Sequence, residues 1–339
     1  MIDLQTASKK DLVKLIEACF AGHKPELFNL AQKAREQYYG NKVFLRGLVE
    51  VTNYCRNDCF YCGIRASNRQ AKRFRLSPEE ILACCQTGYE LGLRTFVLQG
   101  GEDVHYTNEL LCDIIKVLKN KYPDAAITLS LGERSQESYE GLYKAGADRY
   151  LLRHETANDG HYGKLHPPAL TLANRQKCLL TLKTIGFQTG AGFMVGSRGQ
   201  TIECLAEDLM FLRELQPQMV GIGPFIPHQD TPFANDSTGD LQQSLCMLAL
   251  TRILLPKALL PATTALGSIA KDGLEQGLLA GANVIMPNLS PIQYREAYAL
   301  YNGKVHGESE VAEKLAVLER RVQSVGMALD MSRGDYKEE

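Results

Sequence analysis

The chain has 339 residues, a net charge of −1 and 45% hydrophobic residues. This length suits one (β/α)8 barrel of about 250 residues with terminal additions as well as it suits two domains. The near-zero charge gives no sign of a nucleic acid partner, and the longest apolar stretch, around residues 258–270, is too short and too rich in threonine to cross a bilayer.

Cysteine usage and the first residues point to a reducing compartment. The chain has ten cysteines, and residues 1–6 show neither the basic nor the apolar region of a secretory leader. We therefore expect free or metal-bound thiols and a cytoplasmic protein that binds neither membrane nor nucleic acid.

The alternation of apolar runs with amphipathic segments predicts a parallel β/α fold. Residues 7–38 predict two helices divided near Gly22 and Pro25. Eight apolar runs then alternate with segments of helical period: 43–51, 95–99, 126–131, 148–154, 188–195, 219–225, 260–266 and 283–286. Because eight parallel strands close a barrel, we predict an N-terminal helical extension over 1–40 and a (β/α)8 TIM barrel over 41–302. Residues 303–339 predict a C-terminal helix, 310–326, followed by a tail of disordered composition.

Helix signals support these boundaries. Ser77-Pro-Glu-Glu80 combines a capping residue, a proline at the first helical position and a glutamate at the third. Four glycines stand where a helix would end before the next strand and would adopt a left-handed conformation: Gly92, Gly146, Gly186 and Gly281.

Cys55, Cys59 and Cys62 form the most informative motif, directly after the first predicted strand. The spacing C-x3-C-x2-C supplies three thiolates, one fewer than saturate a [4Fe–4S] cluster, so one iron would stay open to a small molecule. A zinc site is the alternative, but zinc normally needs a second Cys/His pair at finger-like spacing, and none follows. The motif therefore favours a cluster.

Polar residues gather where the other predicted strands end, which is where barrel enzymes place their chemistry. The second strand ends in Gln99-Gly-Gly-Glu-Asp103, whose glycines would let a ligand approach the backbone; an ordinary strand-to-helix turn is the alternative. On the fourth strand Arg153 and Glu155 share a parity and would both face the lumen, either as a ligand site or as a structural ion pair. His154 would point outward as a core or surface histidine.

At two further strand ends the residues indicate a ligand-binding role less specifically. The fifth, Gly190–Gly196, is rich in glycine, which would suit either a ligand or close strand packing. The seventh carries Thr263 and Thr264, whose hydroxyls would bind an anion or, alternatively, a backbone carbonyl.

Together these segments resemble the radical S-adenosylmethionine (SAM) enzymes and, more narrowly, the HydE-type [FeFe]-hydrogenase maturases of the biotin synthase-like radical SAM family. The resemblance covers roughly residues 40–302. Besides the cysteine loop it rests on these segments: 98–103, 149–158, 189–196, 219–228, 249–256, 261–265 and 282–288.

The resemblance implies a site with one [4Fe–4S] cluster on the three cysteines and SAM on its open iron. Residues implied to hold SAM are Tyr61, Gln99, Gly100, Gly101, Glu102, Ser130, Arg153, Glu155, Arg175 and Met194. Residues implied to line the substrate cavity are Arg46, Thr128, Met219, Thr263, Thr264, Met286 and Tyr301. The last cysteine is Cys246, so the auxiliary C-terminal cluster of many family members should be absent.

The reaction implied is reductive cleavage of SAM to methionine and a 5′-deoxyadenosyl radical during assembly of the hydrogenase diiron subcluster. Its substrate would be an organometallic iron–cysteine complex carrying CO and cyanide, and its partners the other hydrogenase maturases and an electron donor.

Three alternatives remain at this point. A radical SAM mutase of the methylornithine synthase type would share these motifs. A biotin synthase-like enzyme needs a second cluster, against which the helical positions of Cys112, Cys178, Cys204 and Cys246 argue. A non-catalytic iron–sulfur carrier would have no need of the SAM-binding residues.

Overall fold

The computed structural model describes residues 3–22, 24–304 and 311–337. Its strands are β1 (Lys42–Leu45), β2 (Gly47–Thr52), β3 (Thr95–Gly100), β4 (Ala126–Ser130), β5 (Arg149–Leu151), β6 (Gln188–Val195), β7 (Met219–Pro224), β8 (Val284–Ile285) and β9 (Ala328–Asp330). Its helices are α1 (Lys9–Ala21), α2 (Lys24–Tyr39), α3 (Pro78–Glu90), α4 (Asn108–Lys121), α5 (Gln136–Lys144), α6 (Asp159–Leu165), α7 (Leu172–Ile185), α8 (Ile202–Leu215), α9 (Leu241–Leu254), α10 (Thr264–Ile269), α11 (Gly273–Leu279), α12 (Ile292–Arg295) and α13 (Val311–Gln323). The two N-terminal helices and the C-terminal helix agree with the prediction.

The strands form a closed parallel barrel. One sheet has the order β2-β3-β4-β5-β6-β7, and the other has the order β8-β1-β9. Parallel bridges from Met219 to Leu259 and from Pro261 to Val284 join the two sheets. The predicted (β/α)8 architecture is therefore confirmed, with the carboxyl ends of the strands gathered at one rim.

The seventh strand is shorter than predicted. Residues 260–266 were expected to be extended, but the ring passes through the isolated bridges at Leu259 and Pro261, and α10 begins at Thr264. Pro261 has no N–H to donate to a ladder, which limits strand pairing here. Thr263 stands just before α10 with φ −68° and ψ 150°.

The predicted helix ends are confirmed. Ser77 Oγ accepts from Glu80 N–H at 3.2 Å, and Glu80 Oε2 accepts from Ser77 N–H at 2.7 Å. The four helix-ending glycines have φ values of 95°, 110°, 109° and 109°: Gly92, Gly146, Gly186 and Gly281.

The C-terminal tail is ordered where the structure describes it, so the prediction of disorder was wrong there. β9 pairs with β1, and the carbonyl of Arg333 accepts from Thr95 Oγ1 at 2.8 Å and from Arg149 Nη2 at 3.0 Å. Asp335 Oδ1 lies 2.6 Å from Arg149 Nη2. The tail is polar, as disordered segments are, but a fully buried arginine at the amino end of β5 binds it across the base of the barrel.

The N-terminal helices pack against outer helices of the barrel. α1 packs on α8 and α9, and a disulfide joins Cys19 of α1 to Cys246 of α9, with their Cα atoms 6.3 Å apart. The expectation that every cysteine is free or metal-bound was wrong for this pair. The two are 227 residues apart in sequence, so only the packing of the helices brings them together. Among the described helices, none is long and apolar enough to span a membrane.

Candidate active site

The cysteine loop follows β2 at the carboxyl rim of the barrel. Cys55, Cys59 and Cys62 are half-buried free thiols. The loop is held by backbone bonds, with Arg56 N–H donating to the Glu102 carbonyl at 2.9 Å. The cysteine loop thus lies beside the end of β3.

The chemistry of the three thiols fits an iron–sulfur cluster. Burial raises the pKa of Cys55, Cys59 and Cys62, that of Cys62 to about 12, and neighbouring thiolates raise the pKa of Cys59 further. Such thiols ionise together when a bound cation compensates their charge. Within the described ranges no three His, Cys, Asp or Glu side chains are arranged to hold a single metal ion.

The Gly-Gly-Glu segment, residues 100–102, packs against the cysteine loop. A Cβ atom on Gly101 would lie 2.2 Å from the carbonyl oxygen of Tyr54, so glycine is required for the loop to pack on β3. Glu102 accepts from Arg56 Nε at 3.0 Å and from the N–H of Glu133 at 2.7 Å. The carboxylate that the resemblance assigns to SAM therefore stands beside the cysteine loop.

Charged groups of the third and fourth β/α units meet next to this loop. Arg153 Nη2 lies 3.0 Å from Glu155 Oε2, so the two side chains meet. Both residues follow the end of β5 at Leu151, and the φ of Glu155 is 66°, so the strand parity expected for this pair does not apply. Arg175 donates through Nε to Glu133 Oε1 and through Nη1 to the Arg153 carbonyl, both at 2.5 Å. Sequence reasoning missed Glu133, although its place at the end of the third strand run was the available signal.

Glu155 has an unusual backbone. Its φ is 66°, in the left-handed region that costs a non-glycine residue about 1–2 kcal/mol. Hydrogen bonds to β6 hold it there, since its N–H donates to the Gly192 carbonyl at 3.0 Å and its carbonyl accepts from Met194 N–H at 3.2 Å. Backbone strain held by its surroundings often marks a functional residue.

His154 is a core residue, as predicted. It is fully buried, with Nε2 3.3 Å from Asp208 Oδ1 of α8 and Nδ1 accepting from Gly192 N–H at 3.3 Å. Burial, with the charges of Arg153 and Arg175, lowers the pKa of His154 to about 3. The imidazole is therefore neutral and structural.

An apolar wall stands beside the cysteine loop. It contains two residues assigned to SAM, Tyr61 and Met194, packed with Phe60, Leu165, Phe225 and Phe233. Tyr61 Oη lies 3.4 Å from His166 Nε2. Such a wall suits the flat face of an adenine ring.

Two other SAM assignments lie at strand ends, and the glycines of β6 have a packing role. Gln99 Nε2 donates to Tyr298 Oη at 3.3 Å, and Ser130 ends β4 half-buried. A Cβ atom on Gly192 would lie 2.1 Å from the Gly221 carbonyl oxygen. Close strand packing, the alternative considered for this segment, therefore accounts for Gly192.

Four of the residues assigned to substrate line one small cavity in the lower lumen, of about 20 Å³: Arg46, Thr128, Met219 and Met286. Arg46 is buried and donates through Nη1 to Met219 Sδ at 3.0 Å. Its Nε and Nη2, and the hydroxyl of Thr128, are buried without a partner in the described part of the chain. Burial, with the charge of Arg149, lowers the pKa of Arg46 well below its usual value. Buried donors without an acceptor are rare, so these groups are available to hydrogen-bond a ligand that carries an acceptor.

The other three residues assigned to substrate do not line this cavity: Thr263, Thr264 and Tyr301. Thr263 Oγ1 donates to the Ile222 carbonyl at 3.3 Å, which is the backbone role considered for it. Thr264 is the exposed first residue of α10. Tyr301 is half-buried, and burial raises its pKa to about 12.

Comparison with known proteins agrees with this geometry. The Radical SAM superfamily model matches residues 49–212. The chain is 51% identical to the [FeFe] hydrogenase maturase subunit HydE of Thermotoga maritima over 84% of its own length and 81% of the relative's. The chain belongs to the HydE family. It is therefore a radical SAM enzyme whose cofactors are a [4Fe–4S] cluster and SAM.

More distant relatives share the architecture. The chain is 28% identical to 3-methylornithine synthase of Methanosarcina acetivorans, over 94% of this chain and 89% of that one. The crystal structure of methylornithine synthase (PylB) matches with a TM-score of 0.82 and 25% identity, covering 96% of each chain. The much higher identity to the HydE family favours that family over the mutase alternative.

Proposed function

We propose that this enzyme cleaves SAM reductively and acts in maturation of the [FeFe]-hydrogenase active-site cluster, in assembly of its diiron subcluster. The observation that carries the proposal is the buried guanidinium of Arg46, which has two nitrogens without an acceptor among the described residues. The identity to the HydE family supports the reaction class.

The rim residues would hold the two cofactors. When bound, the cluster supplies the electron that cleaves SAM into methionine and a 5′-deoxyadenosyl radical. Cys55, Cys59 and Cys62 would bind the cluster. Residues that would hold SAM are Tyr61, Gln99, Gly100, Gly101, Glu102, Ser130, Arg153, Glu155, Arg175 and Met194.

The charged residues have distinct tasks in this arrangement. Glu155, whose carboxylate faces Arg153 at 3.0 Å, can accept hydrogen bonds from ribose hydroxyls with its remaining lone pairs. Arg175 is oriented by Glu133 and can neutralise the carboxylate of SAM. The barrel wall keeps water and stray C–H bonds away from the radical.

The lumen would receive an organometallic iron–cysteine complex carrying CO and cyanide. A cyanide nitrogen can accept from Arg46 and Thr128, and a cavity of about 20 Å³ has room for a group the size of one such ligand. Met219 and Met286 surround it with apolar, polarisable contacts. Thr263, Thr264 and Tyr301 would contact the cysteine end of the complex. The other hydrogenase maturases would supply and accept this small molecule.

The test uses Thr128→Val and Arg46→Met in two assays on one holoenzyme preparation. These are 5′-deoxyadenosine release without substrate and hydrogenase activation with the companion maturases. Removing one donor to an anionic ligand costs about 1.5 kcal/mol, so we expect about a tenfold loss of activation with uncoupled SAM cleavage retained.

Thr251→Val is the matched control. Thr251 also has a buried hydroxyl without a partner among the described residues, but it lies on α9 outside the lumen. Activation should be unchanged in this variant. Full activation in both Thr128→Val and Arg46→Met, or an equal loss in Thr251→Val, would remove the lumen donors from the function.

A further inference from the structure

The surface beside the cysteine loop is strongly basic. Residues 54–75 contain six lysines and arginines and one aspartate, in a chain whose net charge is −1. Four of these basic side chains are exposed, and we call them the basic collar: Arg56, Arg69, Lys72 and Arg75.

The collar is fixed to the cysteine loop. Asn53 Nδ2 donates to the Lys72 carbonyl at 2.8 Å, and Asn68 Nδ2 donates to the carbonyl of Gly63, the neighbour of the last cysteine, at 2.7 Å. The half-buried Arg73 donates to the Ile64 carbonyl at 2.8 Å. The backbone that carries Arg69 and Lys72 therefore packs directly on the residues that flank the cluster ligands.

Part of the basic charge in this segment is already neutralised. Three ion pairs account for it: Arg65 with Asp58, Arg75 with Asp103 and Arg56 with Glu102. Arg69 and Lys72 are exposed and have no carboxylate partner in the part of the chain that the structure describes. Arg73 holds the segment in place through its hydrogen bonds to the Ile64, Arg65 and Asn68 carbonyls.

An aromatic side chain completes the surface. Tyr54, next to the first cysteine, is 37% exposed, and the guanidinium of Arg75 lies 3.9 Å from its ring centroid. Tyrosine and arginine are the residues that most often anchor protein–protein interfaces. An exposed tyrosine beside Arg75, on a segment that also carries the exposed Arg69 and Lys72, suits an acidic protein surface better than a small anion.

We propose that the basic collar docks a small acidic electron-transfer protein with a low-potential one-electron centre. The inference rests on the proposed function, because reductive cleavage of SAM consumes an electron. The docked protein loses one electron and the cluster gains it, with no proton or bond transferred. The collar places the donor beside the cysteine loop.

The test compares the charge-reversed pair Arg69→Glu/Lys72→Glu with the control pair Lys10→Glu/Lys14→Glu, which changes the net charge equally on exposed positions of α1. Release of 5′-deoxyadenosine by each reconstituted holoenzyme is followed against the concentration of a reduced two-cluster bacterial ferredoxin. Dithionite, a small reductant that needs no docking surface, serves as the second reductant.

We expect the collar variant to need about tenfold more ferredoxin for half-maximal rate, because each reversal replaces an attraction by a repulsion. The control pair should stay within about twofold of the wild type, and added salt should weaken the wild-type dependence. All three proteins should react equally with dithionite.

The two proposals fail in different ways. An unchanged ferredoxin dependence in the collar variant, or an equal loss with dithionite, would overturn the docking surface. Absence of SAM cleavage by wild-type holoenzyme with dithionite would instead overturn the proposed function. Chemical cross-linking of ferredoxin to the holoenzyme gives a second measurement, in which the collar variant should lose the product and the control should keep it.

Discussion

At the residue scale, the chemistry of this chain depends on buried side chains that lack a bonding partner in the described structure. The pKa values of the three cysteines are raised by burial, so their ionisation is coupled to iron. Arg46 likewise keeps two nitrogens without an acceptor in the described structure. An unpaired buried donor costs about 1–3 kcal/mol, which a bound ligand can offset.

The first prediction concerns the cluster ligands. Alanine in place of Cys55, Cys59 or Cys62 should abolish the cluster, because each removes one of only three protein ligands. Iron analysis after anaerobic reconstitution should find about four irons in the wild-type chain and almost none in the variants.

Cys84→Ala is the control, because Cys84 lies buried in α3 and should leave the iron content unchanged. About eight irons per wild-type chain would contradict the single cluster.

At the scale of elements, the polar residues of the site lie at the carboxyl ends of the strands, and the C-terminal tail covers the opposite end of the barrel. Polar residues from β3, β4 and β5 meet at the rim because parallel strands present their carboxyl ends together. The tail binds the fully buried Arg149 through the Arg333 carbonyl and the Asp335 carboxylate. The base of the barrel is thereby sealed by polar contacts.

The second prediction tests this seal. Asp335→Asn removes the negative partner of Arg149 and should lower the free energy of unfolding by about 1 kcal/mol, since Asp335 is 41% exposed and solvent screens the pair. Chemical denaturation of wild type and variant measures the difference.

Asp330→Asn in the same tail is the comparison. Its partner Lys42 is 60% exposed, so the loss should be smaller. A larger loss in Asp330→Asn would mean that the Arg149 pair does not hold the tail.

At the scale of the whole molecule, the disulfide between Cys19 and Cys246 joins the N-terminal extension to the barrel. It closes a loop of 227 residues and so restricts the unfolded chain strongly. The other eight cysteines are free thiols.

The third prediction follows from this cross-link. The double change Cys19→Ala/Cys246→Ala should lower the free energy of unfolding by about 2–4 kcal/mol under non-reducing conditions. A reductant should destabilise the wild type and leave the variant unaffected. Alkylation of the denatured, iron-free wild-type chain should label eight cysteines before reduction and two more afterwards. Ten labelled cysteines without reduction would show that the bond is absent.

The sequence by itself determined the features that are local along the chain. Helix caps such as Ser77, the alternation of strands and helices, and the spacing of Cys55, Cys59 and Cys62 are each encoded within a few residues. The sequence also predicted that Arg153 and Glu155 lie together, but strand parity is not the reason, because both follow the end of β5 and Glu155 has a left-handed backbone.

Only the tertiary structure decided which distant groups meet. It paired Arg175 with Glu133 and Cys19 with Cys246, and it left two nitrogens of Arg46 without an acceptor among the described residues. It also ordered a tail whose polar composition predicted disorder. The groups concerned lie on different elements, so their contacts depend on how the elements pack. Burial and charge compensation therefore do not follow from spacing along the chain.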